Sequence, residues 1–291
     1  MKKRMMLVIA TLVVAGFFFG CEQNRRDEPM VSVSIAPLQY FVDRLTGESL
    51  DVNVMVPPGM SHGTYSPTAQ QMQKLSDSEI YFQVGHLGYE QTFINRLHEL
   101  NPDMELVNLS EEIELIRGAE IDHGDHVHEG GIDPHIWMSP KVILEILPRM
   151  KNALETTFPE LISVINENYP VLLTDLQVLD YEMEEVVDGL SQKRFMIFHP
   201  ALTYLARDYG MDQVSIEHEG KEPSASQLRH LIMEARAENI PVIFIQEEYD
   251  IRNADLVANE TGAEVVQINP LAYNWLDSMQ ELMEVFEKHL Q

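Results

Sequence analysis

The feature that most limits how this chain can fold is a regular exchange of short β-branched runs and longer amphipathic stretches, begun near residue 31 and repeated after residue 192. In the first half, residues 31–35, 51–56, 80–84 and 105–109 read as strands. Helices are expected over residues 38–45, from Pro67-Thr68 and over residues 89–100. In the second half, residues 194–198, 213–216, 242–245 and 264–268 read as strands, with helices from Leu202, Ser224, Arg252 and Ser278. Alternation on this scale implies right-handed crossovers and parallel sheets. Between the halves, residues 140–157 read as a helix. A second helical stretch opens at Pro159 and runs to about residue 190, with Pro170 expected to kink or restart it. Leu172, Leu176, Leu179, Met183 and Val186-Val187 recur along it at helical spacing, and it has no strand to pair with. It is therefore read as a rigid connector. The halves also echo each other locally: Ser61-His62 followed by Pro67-Thr68-Ala69 and Gln71-Met72 resembles His218 followed by Pro223-Ser224-Ala225 and Gln227-Leu228. The expected architecture is α/β: two lobes, each a four-stranded parallel sheet flanked by helices, joined by a long rigid helix. The N-terminal lobe is placed at residues 31–157, the linking helix at 158–191 and the C-terminal lobe at 192–291.

The ends add a location. Lys2-Lys3-Arg4, an apolar run from Met5 to Phe19 and then Gly20-Cys21 read as an export signal over residues 1–20, too short for a comfortable membrane span. Ending that run on the one cysteine of the chain resembles a lipobox, with lipid attached to Cys21 and residues 21–30 as a polar tether. The plainer reading is a secreted protein with an incidental cysteine. An unpaired thiol in an oxidising compartment makes that reading the weaker one. Cleavage would remove Lys2, Lys3 and Arg4, leaving 17 cations against 47 acids, a net charge near −30. Such a surface repels nucleic acid and gathers cations. No second run is apolar enough to cross a membrane.

In an open parallel sheet, ligands bind beyond the carboxyl ends of the strands. Histidines stand repeatedly at those positions. His62 follows the second strand and His86 the third, His135 lies in the loop after the fourth, and His199 ends the first strand of the second half. Residues 122–140, D-H-G-D-H-V-H-E-G-G-I-D-P-H-I-W-M-S-P, hold four of the eleven histidines together with four acids and three glycines. Imidazole and carboxylate are the donors a divalent transition metal takes. His135, between Pro134 and Trp137 and just ahead of a helix start at Ser139-Pro140, is read as part of a built site. His123, His126 and His128 sit in a tract read as flexible and structureless, either a loose metal-collecting loop or a merely polar one. His86 is read as a solvated loop residue, and Glu217-His218-Glu219 and Glu247-Glu248 as solvated faces.

Several stretches together are specific. P-P-G-M-S-H-G-T-Y-S-P-T, L-S-D-S-E-I-Y-F-Q-V-G with G-Y-E, D-P-H-I-W-M-S-P, F-H-P-A-L-T-Y-L-A-R-D-Y-G, K-E-P-S-A-S-Q-L and E-T-G-A-E-V-V-Q-I-N-P-L follow one another across the chain past residue 30. In that order they resemble the ZnuA-like or TroA-like (cluster A-I) solute-binding proteins of zinc or manganese ABC importers. The resemblance implies two parallel-sheet lobes, a rigid linking helix and a metal in the cleft held by His62, His135 and His199. It also implies an ABC permease and its ATPase as partners, and an anchored position in the periplasm or on the cell surface. Zinc-specific members often carry a His-rich loop where residues 122–129 lie. Two positions depart from the family: Asn269 stands where an aspartate is frequent, and Gln246 where a glutamate is usual. The fourth position on the metal is therefore open between water, Glu247, His218 and Asn269.

Three imidazoles favour zinc over manganese, which prefers harder oxygen donors. Zinc binding needs neutral histidine, so affinity is expected to weaken as pH falls through ~6.5. The expectation is a monomeric, non-enzymatic carrier that captures Zn2+, less readily Mn2+, and passes it to a permease. Two rival classes share the same donors: a three-histidine zinc hydrolase, and a metal-binding adhesin or buffer. An H-E-x-x-H pattern, which would favour the hydrolase, is missing from the sequence.

Overall fold

The computed structural model describes residues 29–118, 121–122, 127–128, 131–217 and 223–291. The export signal, Cys21, His123, His126 and His218 lie outside the described residues.

Strands β1 (Met30–Ile35), β2 (Asp51–Val56), β3 (Ile80–Gln83) and β4 (Glu105–Asn108) form a parallel sheet in the order β2-β1-β3-β4. A two-stranded antiparallel ladder follows, β5 (Ile121–Asp122) against β6 (Val127–His128). Strands β7 (Arg194–Ile197), β8 (Asp212–Ser215), β9 (Val242–Gln246) and β10 (Glu264–Ile268) make a second parallel sheet, β10-β9-β7-β8. Numbered within its own half, each sheet runs 2-1-3-4, so the lobes are topological copies. The direction of strand addition reverses between the first and third strands, which opens a crevice at their carboxyl ends.

The helices are α1 (Ala36–Thr46), α2 (Ala69–Ser76), α3 (Gly88–Leu100), α4 (Pro140–Thr157), α5 (Ile162–Gly189), α6 (Thr203–Tyr209), α7 (Ala225–Ala237), α8 (Arg252–Thr261) and α9 (Trp275–Leu290). The sequence echo between the halves is a repeated helix start. Thr68 caps α2 with Gln71 folded back on it, and Ser224 caps α7 with Gln227 in the same role. Each pair satisfies two otherwise orphaned backbone N–H groups.

The linking helix is α5. It buries Ile165, Leu172, Leu176, Leu179, Met183 and Val187 and packs against α1, α4 and α9, so it touches both lobes. It runs unbroken through Pro170, where a kink or restart was expected. Pro170 lies on the exposed face in the third turn, and the chain break falls earlier, at the 3-10 turn Pro159–Leu161. Helix α9 begins three residues before the expected Ser278, because Trp275 is drawn into the core. Its ring lies 5.1 Å from Phe41, and its Nε1 donates to the Trp137 carbonyl at 2.8 Å.

One hydrophobic core runs from Val31 to Leu290, through lobe one, the linking helix and one face of the second sheet. The alternation of side chains across that sheet sends Phe195, Ile197, Val242 and Phe244 into this core. It sends Met196, Phe198, Ile243 and Ile245 into a separate, smaller one under α7 and α8. The lobes are therefore joined by packing as well as by α5.

Candidate metal centre

Three loops at the carboxyl ends of the strands converge between the lobes. After β2, Pro57-Pro58-Gly59 turns the chain into a tight bend in which the Thr64 and Tyr65 amides donate to the Ser61 carbonyl, carrying His62 inward. After β4 the chain enters a hairpin. Its rungs run from Asp133 N–H to the Ile116 carbonyl at 2.9 Å, through Gly118 N–H to the Gly131 carbonyl at 2.8 Å, up to β5 and β6. The tract read as structureless is thus held at its base by a ladder, and the returning strand delivers Asp133 and His135. Immediately beyond, Ile136–Met138 makes a 3-10 turn, and Ser139 caps α4 by accepting from the Val142 amide. In lobe two, His199 follows β7. Its backbone is pinned by the Gln246 side chain, which accepts from the His199 N–H at 3.4 Å and donates to its carbonyl at 2.7 Å.

The three ring nitrogens meet. His135 Nε2 lies 2.9 Å from His62 Nε2 and 3.2 Å from His199 Nε2, and one donor atom from each ring falls within 4.8 Å of the others. Two imidazoles on a tetrahedral zinc, at the usual Zn–N distance of about 2.0–2.1 Å, would stand about 3.3–3.4 Å apart. Among the described residues this is the one cluster of three such donors. His135 and His62 are 2% and 4% exposed, while the His199 side chain keeps 15%. Trp137 packs edge-on against His62 at 5.8 Å and tilted against His135 at 5.2 Å; its Nε1 donates to the Pro270 carbonyl of lobe two.

Two carboxylates back the triad. Asp133 Oδ1 accepts from the His135 amide at 2.9 Å and pairs with its Nδ1 at 2.8 Å. Burial works to raise the Asp133 pKa, but the charge and hydrogen bonds of His135, with help from Thr203, carry it below the usual carboxylate value. Glu217 Oε2 pairs with His199 Nδ1 at 2.8 Å. An ionised carboxylate only accepts, so Nδ1 carries the proton in both rings and the Nε2 lone pairs face the common centre. His62 Nδ1 is buried and has no partner among the described residues. Burial, then the neighbouring His135 and His199, hold His62 well below the ordinary imidazole pKa. Burial also lowers His135, against the pull of Asp133.

Reading Glu217 as part of a solvated face was wrong: it is 6% exposed. Its amide extends the sheet by donating to the Phe198 carbonyl, and this sets the carboxylate beside the next residue, His199. Glu247 is exposed and lines a cleft of about 240 Å³ with Asn269, beside Met138 and Pro270. Asn269 Oδ1 is engaged by the Leu271 amide at 3.0 Å. Gln246, in the place of the family glutamate, holds the His199 backbone. His86 is half-buried and stands outside the triad.

A pair of parallel α/β lobes on one helix, with ligand-type side chains converging at strand ends between them, defines the class of two-lobed, cleft-type solute-binding proteins. The chain belongs to the ZnuA family, described as zinc-uptake complex component A, periplasmic, whose profile matches residues 31–289. It is 26% identical over 284 residues to the zinc-binding lipoprotein AdcA of Streptococcus pneumoniae, a match covering 92% of this chain but 55% of AdcA. It is 26% identical over 261 residues to the high-affinity zinc uptake system protein ZnuA of Bacillus subtilis, covering 87% and 81%. A zinc-bound crystal structure of a ZnuA deletion mutant superposes with a TM-score of 0.82 at 30% identity, covering 91% of this chain and 98% of that one.

Proposed function

We propose that the protein captures Zn2+ between its lobes on His62, His135 and His199 and delivers it to an ABC permease and its ATPase. The observation that carries this is the meeting of three Nε2 atoms from both lobes, two of them on rings whose opposite nitrogens are held by carboxylates. Zinc is favoured over manganese because the carboxylates are engaged by imidazole and the inner donors are nitrogen. Asp133 and Glu217 together balance the charge of one divalent ion. Water is favoured as the fourth donor over Asn269, which is committed to its turn, and Glu247, which faces the exposed cleft; His218 lies outside the described residues. The boundaries at residues 31–157, 158–191 and 192–291, the lipid on Cys21 and a monomeric state complete the reading. The relatives' names support an extracytoplasmic, anchored carrier.

A hydrolytic role is disfavoured by the depth of His62 and His135 beneath Trp137, which leaves the His199 edge as the approach to the metal. Titration of the chelator-stripped protein tests the reading. One tight zinc per chain is expected, with manganese at least about 100-fold weaker. Deleting residues 122–129 is expected to leave that tight site, because the rungs nearest His135 remain, and to remove only weaker extra zinc. Tight manganese in preference to zinc, or loss of the tight site on this deletion, would refute it.

A further inference from the structure

The hairpin that delivers His135 is completed by a side chain from the other lobe. At the rung nearest His135, the Asp133 N–H donates to the Ile116 carbonyl at 2.9 Å. The return half of that rung passes through a phenol. The Ile116 N–H donates to Tyr204 Oη at 3.2 Å, and Tyr204 Oη donates to the Asp133 carbonyl at 2.9 Å. The hydroxyl does there what a bridging water does between two backbone groups. Tyr204 is fully buried on α6, in the segment that leaves β7 through His199. From the same helix, Arg207 lies over the Tyr204 ring at 4.9 Å and donates to the Glu114 carbonyl at 2.7 Å. Asp208 accepts from Ser139 Oγ, at the cap of α4. One short helix of lobe two therefore grips lobe one on both sides of His135.

We infer that Tyr204 is a positioning residue for zinc binding, clamped by Arg207: it sets the register between the His135 hairpin and the segment bearing His199, and it acts on the metal through Asp133. The inference rests on the zinc-carrier reading and deepens it. The Asp133 backbone is held at its N–H by Ile116 and at its carbonyl by Tyr204. Its carboxylate is thereby set against the His135 amide and Nδ1. Without the phenol, a backbone donor and a backbone acceptor lose their partner, and the rung must shift to recover one. That shift moves the carboxylate that orients the His135 ring. The same bridge ties the strand leading to His135 to the helix following His199, whose Nε2 atoms lie 3.2 Å apart. The Tyr204 hydroxyl is committed to the hairpin backbone, so its effect reaches the metal only through other residues.

The test is zinc affinity of the full mature chain, by competition with a calibrated chelator, in double-mutant cycles with the two supporting carboxylates. Tyr204→Phe keeps the ring and removes the bridge, and is expected to bind zinc about ten-fold more weakly. In an Asp133→Asn background the same change is expected to add less than about two-fold, because both act on His135 through one carboxylate. In a Glu217→Gln background it is expected to keep its full effect. In the zinc-loaded protein, the NMR signal of the His135 Nδ1 proton is expected to shift or broaden in Tyr204→Phe, while that of His199 stays in place. Arg207→Ala, on the exposed side of the clamp, is expected to weaken zinc by about three-fold, and it decides the matter if Tyr204→Phe does not fold. Wild-type protein that holds no tight zinc would overturn the carrier reading and this inference with it. With tight zinc in the wild type, three results would overturn the positioning role alone. One is a Tyr204→Phe variant that lowers only the urea midpoint and leaves zinc affinity and the His135 signal unchanged. Another is an equal loss in the two carboxylate backgrounds. The third, where Tyr204→Phe does not fold, is Arg207→Ala binding zinc at wild-type strength.

Discussion

The two lobes share a strand order and even a helix-capping device, yet they contribute to the centre unequally. Lobe one supplies two imidazoles, both buried and both set against Trp137. Lobe two supplies one, partly open, on a sheet whose outer face packs into its own small core. Duplicated topology therefore fixed where ligands can stand, at strand ends, but not how firmly each half holds them. Lobe one together with the linking helix is the fixed half of the site. Lobe two completes it with His199, the least buried of the three rings.

The largest expected effect tests that inequality directly. His135→Ala is expected to weaken zinc by at least about 1,000-fold, because it removes the buried ring whose Nε2 lies 2.9 Å and 3.2 Å from those of the other two. His199→Ala should leave the lobe-one pair and weaken zinc by about 100-fold; competition against a calibrated chelator measures both. Equal losses would break the comparison.

A smaller effect separates the two supporting carboxylates. Asp133→Asn and Glu217→Gln are each expected to weaken zinc about 10–100-fold while keeping one ion per chain. Asp133→Asn should be the more severe, since Asp133 also takes the His135 amide. The reverse order would place the better-organised half in lobe two.

The smallest effect is on pH. His62 and His135 have folded pKa values below the ordinary 6.5, so the unfolded chain takes up protons first as pH falls. Stability of the zinc-free protein is therefore expected to decline as pH drops below about 6.5, read as a falling urea midpoint. Zinc affinity should hold to lower pH than free imidazole would allow, with its decline beginning below ~6.5 and not at it. A zinc-free protein whose urea midpoint rises on acidification would contradict the assigned shifts.

Much of this was legible in the chain. Strands of β-branched residues announce their own ends, so His62, His86, His135 and His199 stood out by position, and the family resemblance narrowed them to the three whose rings meet. The capping boxes at Thr68 and Ser224 were visible as a repeated run of residues. What stayed hidden depends on contacts between distant segments. Nothing local marks Glu217 as different from Glu219; the extra rung between its amide and Phe198 places it beside His199. Asp133, two residues before His135, was in plain view, but its role follows from the hairpin that turns it back on the ring. The polar composition of residues 116–133 concealed that hairpin, because its pairing lies in the backbone. The continuous helix through Pro170 shows packing against α1 and α9 overriding a local breaker.

X-ray absorption at the zinc edge of the stoichiometrically loaded chain tests the central claim most directly. The account predicts three imidazole nitrogens and one oxygen donor at about 2.0–2.1 Å, with one imidazole lost in His199→Ala. A shell with two or fewer imidazoles in the wild type, or one unchanged by His199→Ala, would contradict a centre shared between the lobes.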